Sequence, residues 1–208
     1  MLGNTDFISK PRVLMKNLAV YLLFVSGIFT VPTSVAETTV LAGGCFWCME
    51  KDFESLTGVT DVVSGFTGGT VKNPTYRGDH TGHFEAVSIT YDAQVLSYQA
   101  ILDHFWINID PFDRRGQFCD KGPSYLSAIF VASPEERRLA EVSKRRVMAR
   151  FPDQEVIMPI LAASKFYPIK GAESGHQDFY KKSPLRYKAY RWNCGRDKRL
   201  EQVWGPKD

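Results

Sequence analysis

The sequence predicts an α+β domain in which a mixed sheet is flanked by helices, and three observations carry that expectation. Strand-like and helix-like segments alternate loosely along the chain. Long turn-rich loops separate them, unlike the short links of a regular α/β fold. Finally, 44% of the residues are hydrophobic and 24% charged, which suits one domain with a substantial core and excludes intrinsic disorder.

Thr38 to Ala42 reads as a short strand ended by Gly43-Gly44, and Met49 to Leu56 as a helix that stops near Gly58. Val59 to Phe66 is a second strand, followed by a loop through Gly68, Gly69, Asn73, Pro74, Gly78 and Gly82. Val87, Ile89 and Tyr91 alternate with polar residues, the period of a half-buried strand. Ser97 caps a helix whose apolar face carries Ile101, Leu102, Phe105, Trp106 and Ile109. A second loop, Asp110 to Pro123, leads to the strand Ser127 to Val131. Ser133-Pro134-Glu135-Glu136 starts a helix expected to reach Arg150. Val156 to Ala163 is one more strand, with Pro159 marking a bulge or edge. Residues 181–208 read as an irregular tail.

Residues 1–36 have the order of a secretory signal peptide. Lys10, Arg12 and Lys16 precede the apolar run Leu18 to Val31, and Ser34-Val35-Ala36 forms a small-residue cleavage site after Ala36. Met15 is an alternative start. A retained anchor is the competing reading, although the run is short of the roughly 20 apolar residues of a span. The expected domain is therefore 37–208, exported to a periplasm or beyond, and touching a membrane only through an uncleaved leader. Without Asp6 and the three basic residues of the leader, the formal charge of +3 falls to +1. Such a balance makes no electrostatic case for nucleic acid. A monomer is expected.

The chain has four cysteines: Cys45, Cys48, Cys119 and Cys194. In an exported protein an even count suggests structural disulfides. Cys45 and Cys48 lie too close together to close a useful loop, however, so that pair points to redox chemistry. Cys45 stands between a strand and a helix start, where unpaired N–H groups and the helix dipole favour a thiolate.

The stretch Gly43-Gly44-Cys45-Phe46-Trp47-Cys48-Met49-Glu50 resembles the signature of the A-type peptide-methionine sulfoxide reductases. Asn73 to Tyr76, Thr81 to Val87, Gln117 to Gly122 with Tyr125, and a weaker pattern at Ala172-Glu173, His176-Gln177 and Tyr180 follow in the family's order. The resemblance spans about residues 38–205. It implies a ferredoxin-like plait, Cys45 as the nucleophile on the sulfoxide sulfur, and Glu85 as the acid that protonates the oxygen. It also implies Tyr76 and Tyr125 as donors to that oxygen, Asp120 acting through an ordered water, and Phe46 and Trp47 lining a methyl pocket. The implied reaction takes the S epimer of methionine sulfoxide, free or in proteins, to methionine, and so repairs oxidised proteins. It needs no bound cofactor and no metal, and an external thioredoxin-like thiol carrier restores the enzyme. Cys194 is the favoured resolving cysteine, because a disulfide across a helical turn is strained, with Cys48 as the alternative. Ser124, Leu126, Gly175 and Phe66 depart from the family pattern and bear on substrate contacts and loop anchoring.

Two rivals stay open on sequence alone. A strand, Cys-x-x-Cys and a helix also describe a thiol–disulfide oxidoreductase. A zinc module would use all four cysteines, though only one close pair is present. Glu85, Tyr76, Tyr125, His83 and His176 each have an ordinary packing role as the bland alternative, and the histidines stay outside the catalytic set.

Overall fold

The computed structural model describes residues 35–206, together with Gly3. The expected leader lies outside the described residues except for Gly3, Val35 and Ala36. Among the described residues no helix is long and apolar enough to cross a membrane.

The core runs β1 (Ala36–Gly43), α1 (Phe46–Glu54), β2 (Val59–Thr67), β3 (Phe84–Asp92) and α2 (Tyr98–Trp106). A loop carrying the two-residue strands β4 (Gly116–Gln117) and β5 (Asp120–Lys121) leads to β6 (Ser127–Val131). Then follow α3 (Pro134–Arg150), β7 (Ile160–Ala162), β8 (Tyr167–Pro168), α4 (Phe179–Lys182), α5 (Pro184–Asn193) and α6 (Arg196–Trp204). The sheet order is β7-β6-β1-β3-β2-β8, parallel only between β6 and β7. Its centre, β6-β1-β3-β2 with α1 and α2 as the crossovers, is the expected βαββαβ plait.

The period of two on each strand decides which side faces the helices. Leu41, Val87 and Ile129 join Phe46, Met49, Phe53, Ile101, Leu102 and Phe105 in the main core. Their neighbours Ala42, Ala86 and Ala128 form a small cluster with Phe130. Each fully buried large side chain contributes about 1.5–3 kcal/mol, so apolar packing dominates the stability of the plait.

Both predicted serine caps form: Ser97 accepts from the Ala100 N–H and Ser133 from the Glu136 N–H. α3 ends at Arg150 as expected. Three expectations need correction. α1 starts at Phe46, directly after Cys45. The strand expected over Val156 to Ala163 shrinks to Ile160–Ala162, with the Pro159 carbonyl accepting from Ile129 N just before it. The tail is helical, not irregular: α5 buries Tyr187 and Arg191, and α6 buries Arg196, Leu200 and Val203. Arginine occupies inward-facing positions on both helices, so no apolar stripe announces them.

The tail is held to α1 largely by polar contacts. Arg191 Nη1 donates to both Asp52 carboxylate oxygens at 2.9 and 3.1 Å, and its other nitrogens reach Asp197. Arg191→Ala should therefore cost towards the low end of the roughly 3–5 kcal/mol typical of breaking a buried ion pair, read from the urea midpoint. The low end is expected because Arg196 Nε still lies 3.8 Å from Asp52.

Candidate active site

β1 ends at Gly43, and the chain turns through Gly44, whose φ of +83° is left-handed. A Cβ there would sit 2.5 Å from Gln117 Cβ, so glycine allows the turn to rest on the β4–β5 hairpin. Cys45 is the helix N-cap, with φ −53° and ψ 119°, and its carbonyl accepts from the Cys48 and Met49 N–H groups.

The thiol of Cys45 does not have the lowered pKa expected of a helix start. Burial pushes it up, and a hydrogen bond with Cys48 adds to the rise. Cys48 moves the other way, down to about 7, chiefly through that hydrogen bond, with Arg196 and Arg191 assisting. Since Cys45 is the N-cap with an extended ψ, the two cysteines do not span a turn inside the helix, which removes the geometric objection to pairing them.

Glu85 pairs with Phe66 across β2 and β3 and shares the helix-facing side of β3 with Val87 and Ile89. That register brings its Oε2 to 3.1 Å from the Phe46 N–H, which donates to it. Only 3% exposed, the carboxyl is pushed up to about 8, first by burial and then by the charges of Asp120 and Cys48. It is therefore protonated at neutral pH. Tyr125 faces Glu85 and partly offsets that rise. Burial pushes Tyr76 up to about 12, with the Glu85 charge next, and Tyr125 rises for the same two reasons. Both tyrosines stay protonated donors.

The Phe46 ring is wholly buried, while Trp47 is half-buried. Tyr76 stacks on both, at 6.0 and 6.4 Å between ring centres. The other walls come from residues not singled out as site residues in the sequence. Phe179 stacks on Trp47 at 4.0 Å, His176 lies 3.9 Å from Tyr76, and Tyr190 meets Trp47 edge-on at 5.6 Å. Buried Glu50 holds this strap in place. Its carboxylate accepts from Ser64 Oγ, Gln177 Nε2 and the Asp178 N–H.

Asp120 sits at the end of a two-residue hairpin loop, Phe118-Cys119, in which Phe118 has a φ of 55°. The Arg196 guanidinium covers the Phe118 ring at 4.5 Å. The Tyr190 hydroxyl donates to Asp120 Oδ2. Tyr190 also acts on Cys45, partly offsetting the rise of its thiol. Cys194, the favoured resolving residue, is bonded to Cys119 in a disulfide with Cα atoms 4.9 Å apart. That bond takes two of the four thiolates a zinc site would need, while Cys45 and Cys48 are free.

With the plait and this cluster in view, comparison with known proteins gives a consistent answer. Residues 37–208 match the family model described as peptide methionine sulfoxide reductase. The chain belongs to the peptide methionine sulfoxide reductase family. It is 49% identical over 172 residues to peptide methionine sulfoxide reductase MsrA 2 of Caulobacter vibrioides, covering 81% of this chain and 86% of the relative. It is 46% identical over 176 residues to MsrA of Bacillus subtilis, covering 82% and 97%. Among solved structures, methionine sulfoxide reductase A of Corynebacterium diphtheriae matches with a TM-score of 0.62 and 30% identity, covering 72% of this chain and 76% of that one. The Saccharomyces cerevisiae protein Mxr1 in reduced form shares the fold, with a TM-score of 0.66 and 23% identity over 74% of this chain and 89% of that one.

Within this reductase family member, sequence reasoning singled out Cys45, Glu85, Tyr76, Asp120 and Tyr125, which converge, but missed Tyr190, Phe179 and Glu50. Glu50 carried one usable signal, a glutamate on the buried side of α1 beside Met49 and Phe53. Glu50→Ala should speed amide exchange at residues 177–179 while leaving Ile89 in β3 protected, as read by hydrogen-exchange mass spectrometry. Unchanged exchange over 177–179 would show that the strap does not depend on Glu50.

Proposed function

We propose that this chain reduces the S epimer of methionine sulfoxide, free or in proteins, to methionine, with Cys45 as the attacking sulfur. The observation that carries the proposal is Glu85: a buried carboxyl, protonated at neutral pH, that accepts from the N–H of the residue next to Cys45. The names of the relatives support the substrate class.

A sulfoxide oxygen leaves only after protonation, and the charge developing on it needs nearby donors. The Cys45 sulfur bonds to the substrate sulfur while its proton passes to Cys48, and Glu85 protonates the oxygen. Tyr76 and Tyr125 donate to the same oxygen, and Asp120 acts through Tyr190. Methionine departs, reduced by two electrons, and Cys45 is left oxidised by two as a sulfenic acid. Cys48 then attacks that sulfur, releases water and closes a Cys45–Cys48 disulfide. Cys48 takes this role ahead of Cys194 because it stands in the first turn of α1, buried beside Cys45, whose carbonyl accepts from its N–H, while Cys194 is bonded to Cys119. Trp47, with Phe46 beneath it, offers the apolar surface for the substrate methyl group. No bound cofactor enters the scheme, and a thioredoxin-like thiol carrier supplies the electrons.

We further propose that residues 1–36 are an export leader cleaved after Ala36, supported by their charged, apolar and small-residue order. The carrier is then an exported thiol protein, and the reaction repairs proteins oxidised outside the cytosol.

Turnover on separated epimers should appear with the S form alone and vanish in Cys45→Ser; surviving activity in that variant would sink the mechanism. Glu85→Gln should lower the rate about 10²–10⁴-fold, the usual contribution of a positioned acid. The pH dependence has a definite sign. A carboxyl raised to about 8 donates while protonated, so the wild-type rate should fall as pH rises through about 8, and that alkaline limb should be missing in Glu85→Gln.

Cys48→Ser should release one methionine per chain and leave a lasting sulfenic acid on Cys45, detected by a dimedone-type trap and mass spectrometry. Resolution as fast as in the wild type would return the role to Cys194.

A further inference from the structure

A groove of about 460 Å³ opens between α1, α5 and α6, and none of the residues lining it takes part in the proposed reaction. Buried Tyr187 and Arg191 line it together with Lys51 of α1, Lys188 and Trp192 of α5, and Lys198 of α6. Trp192 is 83% exposed, and aromatic side chains left open in this way are enriched where proteins meet a partner. One carboxylate, Asp197, is on the lining, and it accepts from Arg191 Nε and Nη2. Asp52, 4.0 Å from Lys51, is offset in turn by Arg196 at 3.8 Å. The three lysines are thus left without a matching negative charge, although residues 37–208 as a whole are close to neutral.

The groove adjoins the surface assigned to the substrate methyl group. Lys51 stands one helical turn after Trp47 on α1, and residues so spaced share a face with Cβ atoms about 5–6 Å apart. Tyr190, which meets Trp47 edge-on, lies on α5 between Lys188 and Trp192. The same two helices therefore carry the methyl surface and most of the groove. An extended chain advances about 3.3–3.6 Å per residue, so a peptide whose oxidised methionine rests on Trp47 meets Lys51 about two residues away. The far wall lies roughly one helix spacing of 8–10 Å further, or about three more residues.

We propose that this groove is a subsite for protein-bound substrate, which takes acidic side chains about two to five residues from the methionine sulfoxide. Lys51, Lys188 and Lys198 pair with the carboxylates, and Trp192 packs against the chain between them. The inference rests on Trp47 being the surface that receives the oxidised methionine. Free methionine sulfoxide occupies that surface without reaching the groove, so the subsite separates oxidised proteins from the free amino acid. Among oxidised proteins it favours those with acidic surroundings. These contacts lie away from the reacting sulfur and are equally strong before and during the reaction, so they lower KM and leave kcat unchanged.

The test uses dithiothreitol as the reductant, so no protein carrier takes part. Substrates are S-epimer sulfoxide peptides with Glu, Gln or Lys placed two to five residues to either side of the oxidised methionine, and free methionine sulfoxide. An exposed ion pair is worth at most about fivefold, so two or three pairs should lower KM for a Glu peptide about tenfold below its Gln counterpart. The gap should close in about 0.5 M salt, where exposed charges are screened. Lys188→Glu/Lys198→Glu, a change of two exposed side chains, should turn the preference towards the Lys peptide and leave turnover of free methionine sulfoxide unchanged. Equal KM for Glu and Gln peptides on both sides, with free methionine sulfoxide still reduced, overturns the subsite and leaves the Cys45 chemistry standing. A Glu preference that survives in the double variant also overturns it. So does a defect seen only when a protein thiol carrier replaces dithiothreitol, which gives the groove to the carrier. No reduction of any substrate overturns the Cys45 reading, and the subsite with it.

Discussion

The hydrogen bond from the Phe46 N–H to Glu85 ties the first turn of α1 to the centre of the sheet, and much of the site follows from it. The first N–H groups of a helix have no partner within the helix and normally favour a nearby anion. Here one of them is committed to a carboxyl rather than to the Cys45 thiol. A helix terminus contributes about 0.3–1 kcal/mol to a nearby charge, less than one pKa unit, whereas burial shifts a carboxyl by as much as 3–5 units. Burial prevails at Glu85, which stays protonated, and also at Cys45, whose thiol is pushed up. One contact thus provides an acid that keeps its proton and removes the simplest route to a thiolate. The neighbouring Cys48 thiol is lowered to about 7, which places an ionisable group beside Cys45.

α1 is also the point to which the C-terminal segment returns, and it receives that segment with acidic side chains. Glu50 holds Gln177 and Asp178, Asp52 holds Arg191, and Glu54 holds Tyr180 and Lys181. The plait beneath is packed by apolar side chains worth a few kcal/mol each, while a typical hydrogen bond contributes about 0.5–1.5 kcal/mol net. The tail is consequently the weaker-held part of the molecule, and it carries His176, Phe179 and Tyr190 into the site. Geometry at Cys45 therefore depends on a segment whose attachment is polar.

That difference explains what was legible in the sequence. Ser97 and Ser133 were readable because capping is local, settled within a few residues by one hydroxyl and one N–H. Val87, Ile89 and Tyr91 were readable because strand alternation follows burial on one face. Glu85, Tyr76, Asp120 and Tyr125 came from family resemblance, since an isolated glutamate in a strand has no local signature of burial. α5 and α6 were missed because Arg191 and Arg196 stand where the pattern calls for apolar residues, and their partners Asp52 and Asn108 lie far away in the chain. Tyr190 was missed for the same reason. Its value is a contact with Asp120, 70 residues earlier. The pairing of Cys119 with Cys194 was equally out of reach, because four cysteines allow three pairings and spacing does not choose among them.

The two cysteine pairs therefore meet different physical demands. Cys45 and Cys48 lie together in a buried site, 5% and 1% exposed, which keeps both sulfurs from competing thiols. Burial that protects them from unwanted exchange also shuts out the protein that must reduce them. Cys119 faces solvent without that protection, and its partner Cys194 lies 3.9 Å from the Asp120 oxygen that accepts from Tyr190. The fold thus keeps its two free thiols inside, at the start of α1, and places its disulfide outside, between the β4–β5 hairpin and the end of α5.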